Sequence, residues 1–493
     1  IVLLRLILAA VFPITSDEAY FYLWGKKLAP AYYDHSFMTG IWVKFGILFG
    51  DHVFFPRMIS ILSQLLVALG CVWLVKKLGE SSKVAKLVGL ALLLSPVHFL
   101  FVLVVTDSPL YLFAFAAGFS FLIGFKKDSL LAFLIAGAFL GLGIFSKYLV
   151  VFWGFAMALT LLATFKFSNR QKRIPLYALA GLLGLAPFAV ANFLMAKDYC
   201  WWPIQFNLSN RTNDKGIGFT FVALFIVYQI VIFTPWVFKT WWENRSGWLS
   251  NIKNKNFPAG LLFLSGLLSL GLFSLLDSGL HYTLSFYPFL YLSLSFISSE
   301  KLSRIVAYSA FTSAALYLVI IVTLLLPPEV FKGNPSYRDY LMGRYGNEIH
   351  SEAVKIAKAN NAIAFGTFAY STAAEMEYHS GVHYLVFGNH GKHGRNDDVW
   401  TDFSELDGQN LVLIGMAKPS LSKLNDLKNM FQNVQIEAIE IRGASFAVVV
   451  GQGFKFMQYK EEHLTKIRDE FYQFNPALPP GKCIFTERYF GVK

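Results

Sequence analysis

The 493-residue chain is 55% hydrophobic and 15% charged, against about a quarter charged residues in an ordinary soluble protein. Its net charge of +12 would suit nucleic acid if the basic residues shared one surface. They fall instead in short clusters between long apolar runs, which excludes a nucleic-acid partner and a wholly soluble fold.

A run of roughly 20 apolar residues crosses about 30 Å of hydrocarbon. In chain order the candidate spans are 1–14, 54–75, 85–104, 109–125, 129–145, 149–165, 174–195, 217–238, 258–275, 283–299 and 305–326. That is about eleven crossings. The first run lacks Met, and we read it as the remainder of a first helix rather than a signal peptide. The inter-helix basic clusters are Lys76, Lys77, Lys83 and Lys86, then Lys126 and Lys127, then Lys166, Arg170, Lys172 and Arg173, then Lys239, Arg245, Lys253 and Lys255, then Lys301 and Arg304. They occupy alternate loops, which marks those loops as cytoplasmic and the opposite ones as extracytoplasmic. An odd count of crossings also places 327–493 outside, on the oxidising side with Cys200 and Cys483, which can pair there.

Charge returns to soluble density after Pro327, so the expected division is 1–326 in the membrane and 327–493 as a polar domain. In that domain the apolar period shortens. Ala362–Phe368, Tyr384–Phe387, Leu411–Ile414, Val434–Ile439 and Ser445–Val450 read as strands, with helices over Thr372–Tyr378 and Leu421–Phe431. The alternation predicts a small extracytoplasmic α/β domain with a largely parallel sheet. The glycine-rich segment 388–394 lacks P-loop or dinucleotide spacing and reads as a surface loop. His383, His390 and His393 lack metal-site spacing. Trp201-Trp202 and Trp241-Trp242 read as interfacial aromatic belts.

Ionisable groups on the extracytoplasmic side gather beside helix ends, where charge is costly and therefore informative. Asp17 and Glu18 follow the first run. Tyr33, Asp34 and His35 lie fifteen residues on. Asp107 fills a minimal turn, Lys147 and Tyr148 another, and His281 and Tyr282 a third. Each has a plain structural reading: a helix cap for Asp17, Glu18 or Asp107, a snorkelling side chain for Lys147, an interfacial histidine for His281. Together they form the set that handles a phosphate-linked substrate. Lysine and histidine neutralise a departing phosphate, and an aspartate accepts a proton from an attacking hydroxyl. Asp17, Glu18 or Asp34 would hold a divalent cation if one takes part; no other cofactor is expected.

These segments resemble GT-C glycosyltransferases, and within them the bacterial relatives of protein O-mannosyltransferases and of lipid A aminoarabinose transferases. An Asp17-Glu18 pair is followed by Tyr32-Tyr33-Asp34-His35-Ser36-Phe37-Met38 and Trp42, where many relatives carry two prolines after the histidine. Thr106-Asp107-Ser108-Pro109, Ser146-Lys147-Tyr148 and His281-Tyr282-Thr283-Leu284-Ser285-Phe286-Tyr287-Pro288 are similar to further family segments, with His281 in place of an arginine. Tyr370–Glu375 and Asn396–Trp400 are similar to others. The resemblance implies a GT-C membrane region and an inverting transfer of sugar from a polyprenyl-phosphate (undecaprenyl-phosphate) donor to an extracytoplasmic acceptor, lipid A or lipopolysaccharide first, with protein or another glycan as alternatives. It implies Asp17 and Asp107 as catalytic residues. Glu18, Tyr33, Asp34, His35, Lys147, Tyr148, His281 and Tyr282 would bind substrate, in a bacterial inner membrane with the site outside. The alternative is a lipid-linked-sugar transporter, whose site should lie near mid-membrane; the charged groups here cluster at one interface instead.

Overall fold

The computed structural model describes residues 1–164, 171–207, 218–232, 234–277, 279, 281–388, 394–473 and 478–491. Segment 389–393, with His390 and His393, lies outside the described residues, as do Lys166 and Arg170. The chain divides into two compact units. The first comprises Ile1–Val11, His35–Leu194 and Asn207–Thr323; the second comprises Phe12–Asp34, Met195–Phe206 and Leu324–Lys493.

The first unit is helical. Every predicted run overlaps a helix, but among the described residues four helices are long and apolar enough to cross a membrane: Phe54–Lys77, Asp107–Lys127, Ile174–Asp198 and Ser299–Leu325. A fifth is formed if Arg245–Lys255 and Ala259–Phe273, bent by 120°, make one broken span. The remaining runs give shorter helices, and prolines break or begin two of them. Run 85–104 becomes Ser82–Leu93 plus a 3-10 turn beginning at Pro96, and run 283–299 becomes Tyr287–Ser293 with Pro288 in its first turn. Ser81 and Ser129 cap their helices by accepting from the amides of Val84 and Ala132. Lysine pairs end Phe54–Lys77 and Asp107–Lys127, complementing the helix dipole. Small residues let backbones touch: a Cβ on Gly137 would lie 1.9 Å from the Gly181 carbonyl oxygen. Arg5 is fully buried; it donates to the Tyr317 hydroxyl at 3.0 Å, to Gln64 Oε1 at 3.0 Å and to the Leu93 carbonyl.

The second unit holds a five-stranded sheet. Its strands are β1 (Ala364–Thr367), β2 (Tyr384–Val386), β3 (Leu411–Gly415), β4 (Phe431–Ile441) and β5 (Ala444–Phe454), in the order β2-β1-β3-β5-β4. All five predicted strands are present, and helices Tyr370–Ser380 and Leu421–Met430 match those expected. The sheet is mixed rather than largely parallel: β1 runs parallel to β2 and β3, while β5 is antiparallel to both β3 and β4. The cause is the two-residue connection Arg442-Gly443. Both residues have positive φ, 48° and 75°, which makes a tight hairpin and leaves no room for a crossover helix. Strand β3 is buried on both faces. Leu411 and Leu413 pack with Phe387 and Phe431, and Val412 and Ile414 pack against helix Tyr337–Ala359.

Two early segments belong to this unit for aromatic and covalent reasons. Tyr33, Trp202 and Phe206 share an apolar cluster with Tyr472 and Phe485. Cys200 is disulfide-bonded to Cys483, their Cα atoms 4.8 Å apart. Trp201 and Trp202 are core residues here, not a belt, and the Trp201 indole donates to the Pro479 carbonyl at 2.8 Å. Trp241, in the first unit, is likewise fully buried.

Candidate functional site

In the first unit, Asp107 opens helix Asp107–Lys127. Thr106 precedes it without a side-chain cap, and the Asp107 carboxylate points to a cation instead: Lys147 Nζ lies 2.7 Å from Asp107 Oδ2. Both side chains are nearly removed from solvent, at 3% and 7% exposure. Lys147 is extended, between helix Leu130–Ile144 and the 3-10 turn Tyr148–Val150. That break keeps the lysine out of either helix's hydrogen-bond ladder and frees its direction. His281 brings Nε2 to 3.7 Å from the same Asp107 oxygen. The Tyr282 ring lies 5.5 Å from Lys147 Nζ, and its hydroxyl donates to Asp277 Oδ2 at 2.5 Å. Asp107, Lys147, His281 and Tyr282, predicted from three separate turns, therefore form one network, to which the structure adds Asp277. Tyr148 donates to Asn192 Oδ1 at 3.2 Å. His35 is buried in the same unit.

In the second unit, Asp17 and Glu18 occupy the first turn of helix Ser16–Lys26. Thr15 precedes that helix without a side-chain cap. Asp17 is exposed and accepts a 2.9 Å hydrogen bond from the Tyr370 hydroxyl; Glu18 is buried. Ser16 donates to Glu375 Oε1 at 3.1 Å. Asp34 is buried and paired with Arg395 Nη1 at 3.0 Å. The Tyr33 amide donates to Asn396 Oδ1 at 2.7 Å, and its ring packs on Trp202, Phe206 and Tyr472.

Burial sets the protonation here. Glu375, stripped of water and facing Asp339 and Asp17, is pushed up to about 8 despite the Ser16 bond. Asp397 rises to about 8, mainly by burial and then by Asp398 and Glu377. Burial also raises the Tyr370 hydroxyl, so it remains a donor to Asp17 at neutral pH. Burial alone would weaken the Arg395 cation, but Asp34, Tyr20, Tyr370 and Asp17 reverse this and raise it. Among the described residues no three His, Cys, Asp or Glu side chains gather as a metal site. Asp34, one of the acids proposed for a cation, is engaged by a guanidinium.

Residues 34–192 match the sequence model of the dolichyl-phosphate-mannose-protein mannosyltransferase family. The chain resembles that family. Asp34, His35, Asp107, Lys147 and Tyr148 lie inside the matched segment, while Asp17, Glu18, Tyr33, His281 and Tyr282 lie outside it. The fold is shared with ArnT from Cupriavidus metallidurans bound to undecaprenyl phosphate, at TM-score 0.61 and 15% identity over 91% of this chain and 96% of that one. The same protein in its apo state matches at TM-score 0.60 and 15% identity, over 90% and 95%. No curated protein is matched significantly by sequence. These matches agree with the family resemblance read from the sequence, and the chain is a multi-pass membrane protein.

Sequence reasoning missed Arg395, which stands one residue before the flagged segment Asn396–Trp400. It gave no role to Tyr370 or Glu375, although their segment was flagged. The signal available was chemical: an arginine and a tyrosine adjoining two segments already singled out.

Proposed function

We propose that the chain is an integral membrane glycosyltransferase of the bacterial inner membrane. It takes a sugar from a polyprenyl-phosphate donor, undecaprenyl phosphate, and transfers it with inversion to an acceptor on the periplasmic side. Lipid A or lipopolysaccharide is the acceptor favoured by analogy with ArnT; a protein or another glycan would use the same chemistry. The observation that carries this reading is the buried Asp107–Lys147 pair with His281 beside it, in a fold shared with a structure bound to undecaprenyl phosphate.

In one displacement the acceptor oxygen bonds to the anomeric carbon as the bond from that carbon to the phosphate oxygen breaks. The polyprenyl phosphate leaves with an added negative charge. A cation fixed in a water-poor setting stabilises that charge more than the same cation in water would. Lys147 fits that role, and His281 adds to it when protonated. Asp107 orients both. Asp17 takes the proton of a hydroxyl acceptor; if the acceptor is itself a phosphate, no base is needed and Asp17 positions it. Glu18, Tyr33 and Asp34 in the second unit, and His35, Tyr148 and Tyr282 in the first, are assigned to substrate binding. Donor lipid that cannot leave the bilayer accounts for the many apolar helices.

The test is mass spectrometry of lipid A and glycan fractions from cells lacking the gene and complemented with wild type, Asp17→Asn or Asp107→Asn. Wild type should restore a sugar adduct that both variants fail to restore. Full transfer by both variants would remove the site assignment. Movement of labelled donor without any glycosidic product would favour a transporter.

A further inference from the structure

The second unit contains a connection between the two first-loop aspartates. Arg395 pairs with Asp34 through Nη1 at 3.0 Å. Its guanidinium carbon also lies 4.1 Å from the centroid of the Tyr370 ring, and Tyr370 in turn donates its hydroxyl to Asp17 at 2.9 Å. The other face of the site is closed by Tyr20, whose ring centroid is 5.8 Å from the guanidinium and 5.5 Å from the Tyr370 ring.

The backbone at Arg395 is held on both sides. Its amide donates to Asp398 Oδ2 at 3.0 Å, and its carbonyl accepts from the Tyr472 hydroxyl at 3.2 Å. The Asn396 amide donates to the Tyr20 hydroxyl at 3.1 Å, while Asn396 Oδ1 accepts from the Tyr33 amide at 2.7 Å. A backbone anchored this firmly fixes where the side chain starts, and the Asp34 ion pair and the two tyrosine rings fix where it ends. The side chain can impose its geometry on what it touches.

We propose that Arg395 is a positioning residue for the first-loop aspartates: it fixes Asp34 directly by an ion pair and fixes Asp17 indirectly through the ring and hydroxyl of Tyr370. The inference rests on the role of Asp17 proposed above. Asp17 is exposed on the first turn of a helix, where a carboxylate rotates freely unless something buried directs it. Tyr370 directs it, and the guanidinium lying over the ring holds Tyr370. A lysine would keep the charge but lose the plane.

The experiment measures sugar-adduct formation in complemented cells and, on the full-length purified protein, the affinity for undecaprenyl phosphate alone. Arg395→Gln, Arg395→Lys and Tyr370→Phe should each lower adduct formation about tenfold or more, the scale expected when a reacting group is misplaced by about an ångström. Undecaprenyl phosphate affinity should stay within about twofold, since the groups assigned to its phosphate are untouched. Arg395→Gln combined with Tyr370→Phe should lose less than the product of the two single losses, because the two share the route through Tyr370 to Asp17. Asp34→Asn with Arg395→Gln removes both members of the buried pair and guards against misfolding; it should be stable yet remain slow. Wild-type rates in Arg395→Gln, additive losses, or recovery of transfer in the charge-free double variant would overturn the proposal while leaving the glycosyltransferase reading intact. A wild type that forms no adduct in any fraction would overturn both.

Discussion

Replacing Lys147 by Met separates a structural ion pair from a working one. Lys147 Nζ and Asp107 Oδ2 are 2.7 Å apart with both side chains buried. With an effective dielectric of about 20, two unit charges at that distance attract by about 6 kcal/mol. Most of this offsets the cost of desolvating both ions. What matters for a single substitution is the charge left behind: removing one member of a buried pair costs about 3–5 kcal/mol. Lys147→Met should therefore lower thermal stability strongly. It should also reduce kcat by about a hundredfold to a thousandfold, the usual effect of deleting one donor aimed at developing charge. The decisive variant is Lys147→Met with Asp107→Asn. It is neutral and similar in volume, so stability should return to within about 1 kcal/mol of wild type. Transfer should not return. The assay is adduct formation by mass spectrometry beside thermal unfolding of the purified protein. If the neutral pair restores transfer, the ion pair only holds two turns together and the phosphate role assigned to Lys147 is wrong.

Three other outcomes are expected. Glu375, held up to about 8 by burial and nearby acids, binds a proton in the folded state that the unfolded chain releases above about 4.3. Stability should therefore fall as pH rises from about 5 to about 8 and flatten above that, with a slope of up to about 1.4 kcal/mol per pH unit. Asp397 contributes in the same window, so Glu375→Gln should reduce the slope measured by denaturant unfolding rather than abolish it. Cys200→Ser should lower the stability of the second unit by about 2–5 kcal/mol, read as the same downward Tm shift that a reductant produces in wild type, where the bond joins Cys200 to Cys483. Arg5→Leu leaves Gln64 and Tyr317 without their donor and should cost about 2–4 kcal/mol in thermal stability; the kcat of the folded fraction should hold.

The helical scaffold was legible because long apolar runs and alternating basic loops follow from the solvent, not from distant contacts. Asp107, Lys147 and His281 were legible for a related reason. Charge in a short turn between apolar helices needs a partner, and few turns were available to supply one. The division of the chain was less visible. Composition counts local runs, so segments 12–34 and 195–206 read as connectors in the membrane region; the ring packing of Tyr33, Trp202 and Phe206 and the Cys200–Cys483 bond assign them elsewhere. The sheet's direction was lost at two residues. Arg442-Gly443 is too short a connection for period-based reading to separate from a loop, and its positive φ angles alone turn β5 back on β4.

Buried charge has two different meanings in the first unit, and exposure tells them apart. Arg5 is 0% exposed, and its guanidinium is met by Tyr317, Gln64 and the Leu93 carbonyl. Such an arginine joins three helices and has nowhere further to act. Lys147 is nearly as buried, yet the histidine that shares its carboxylate is 41% exposed. A charge network with one member open to its surroundings can exchange protons or meet a ligand; a sealed one cannot. An isosteric apolar core often folds at least as well as a buried ion pair, so stability alone does not explain keeping an amine and an imidazole within 3.7 Å of one buried carboxylate. That separation is what makes the Asp107–Lys147–His281 network, rather than the arginine, the place to look for the leaving phosphate.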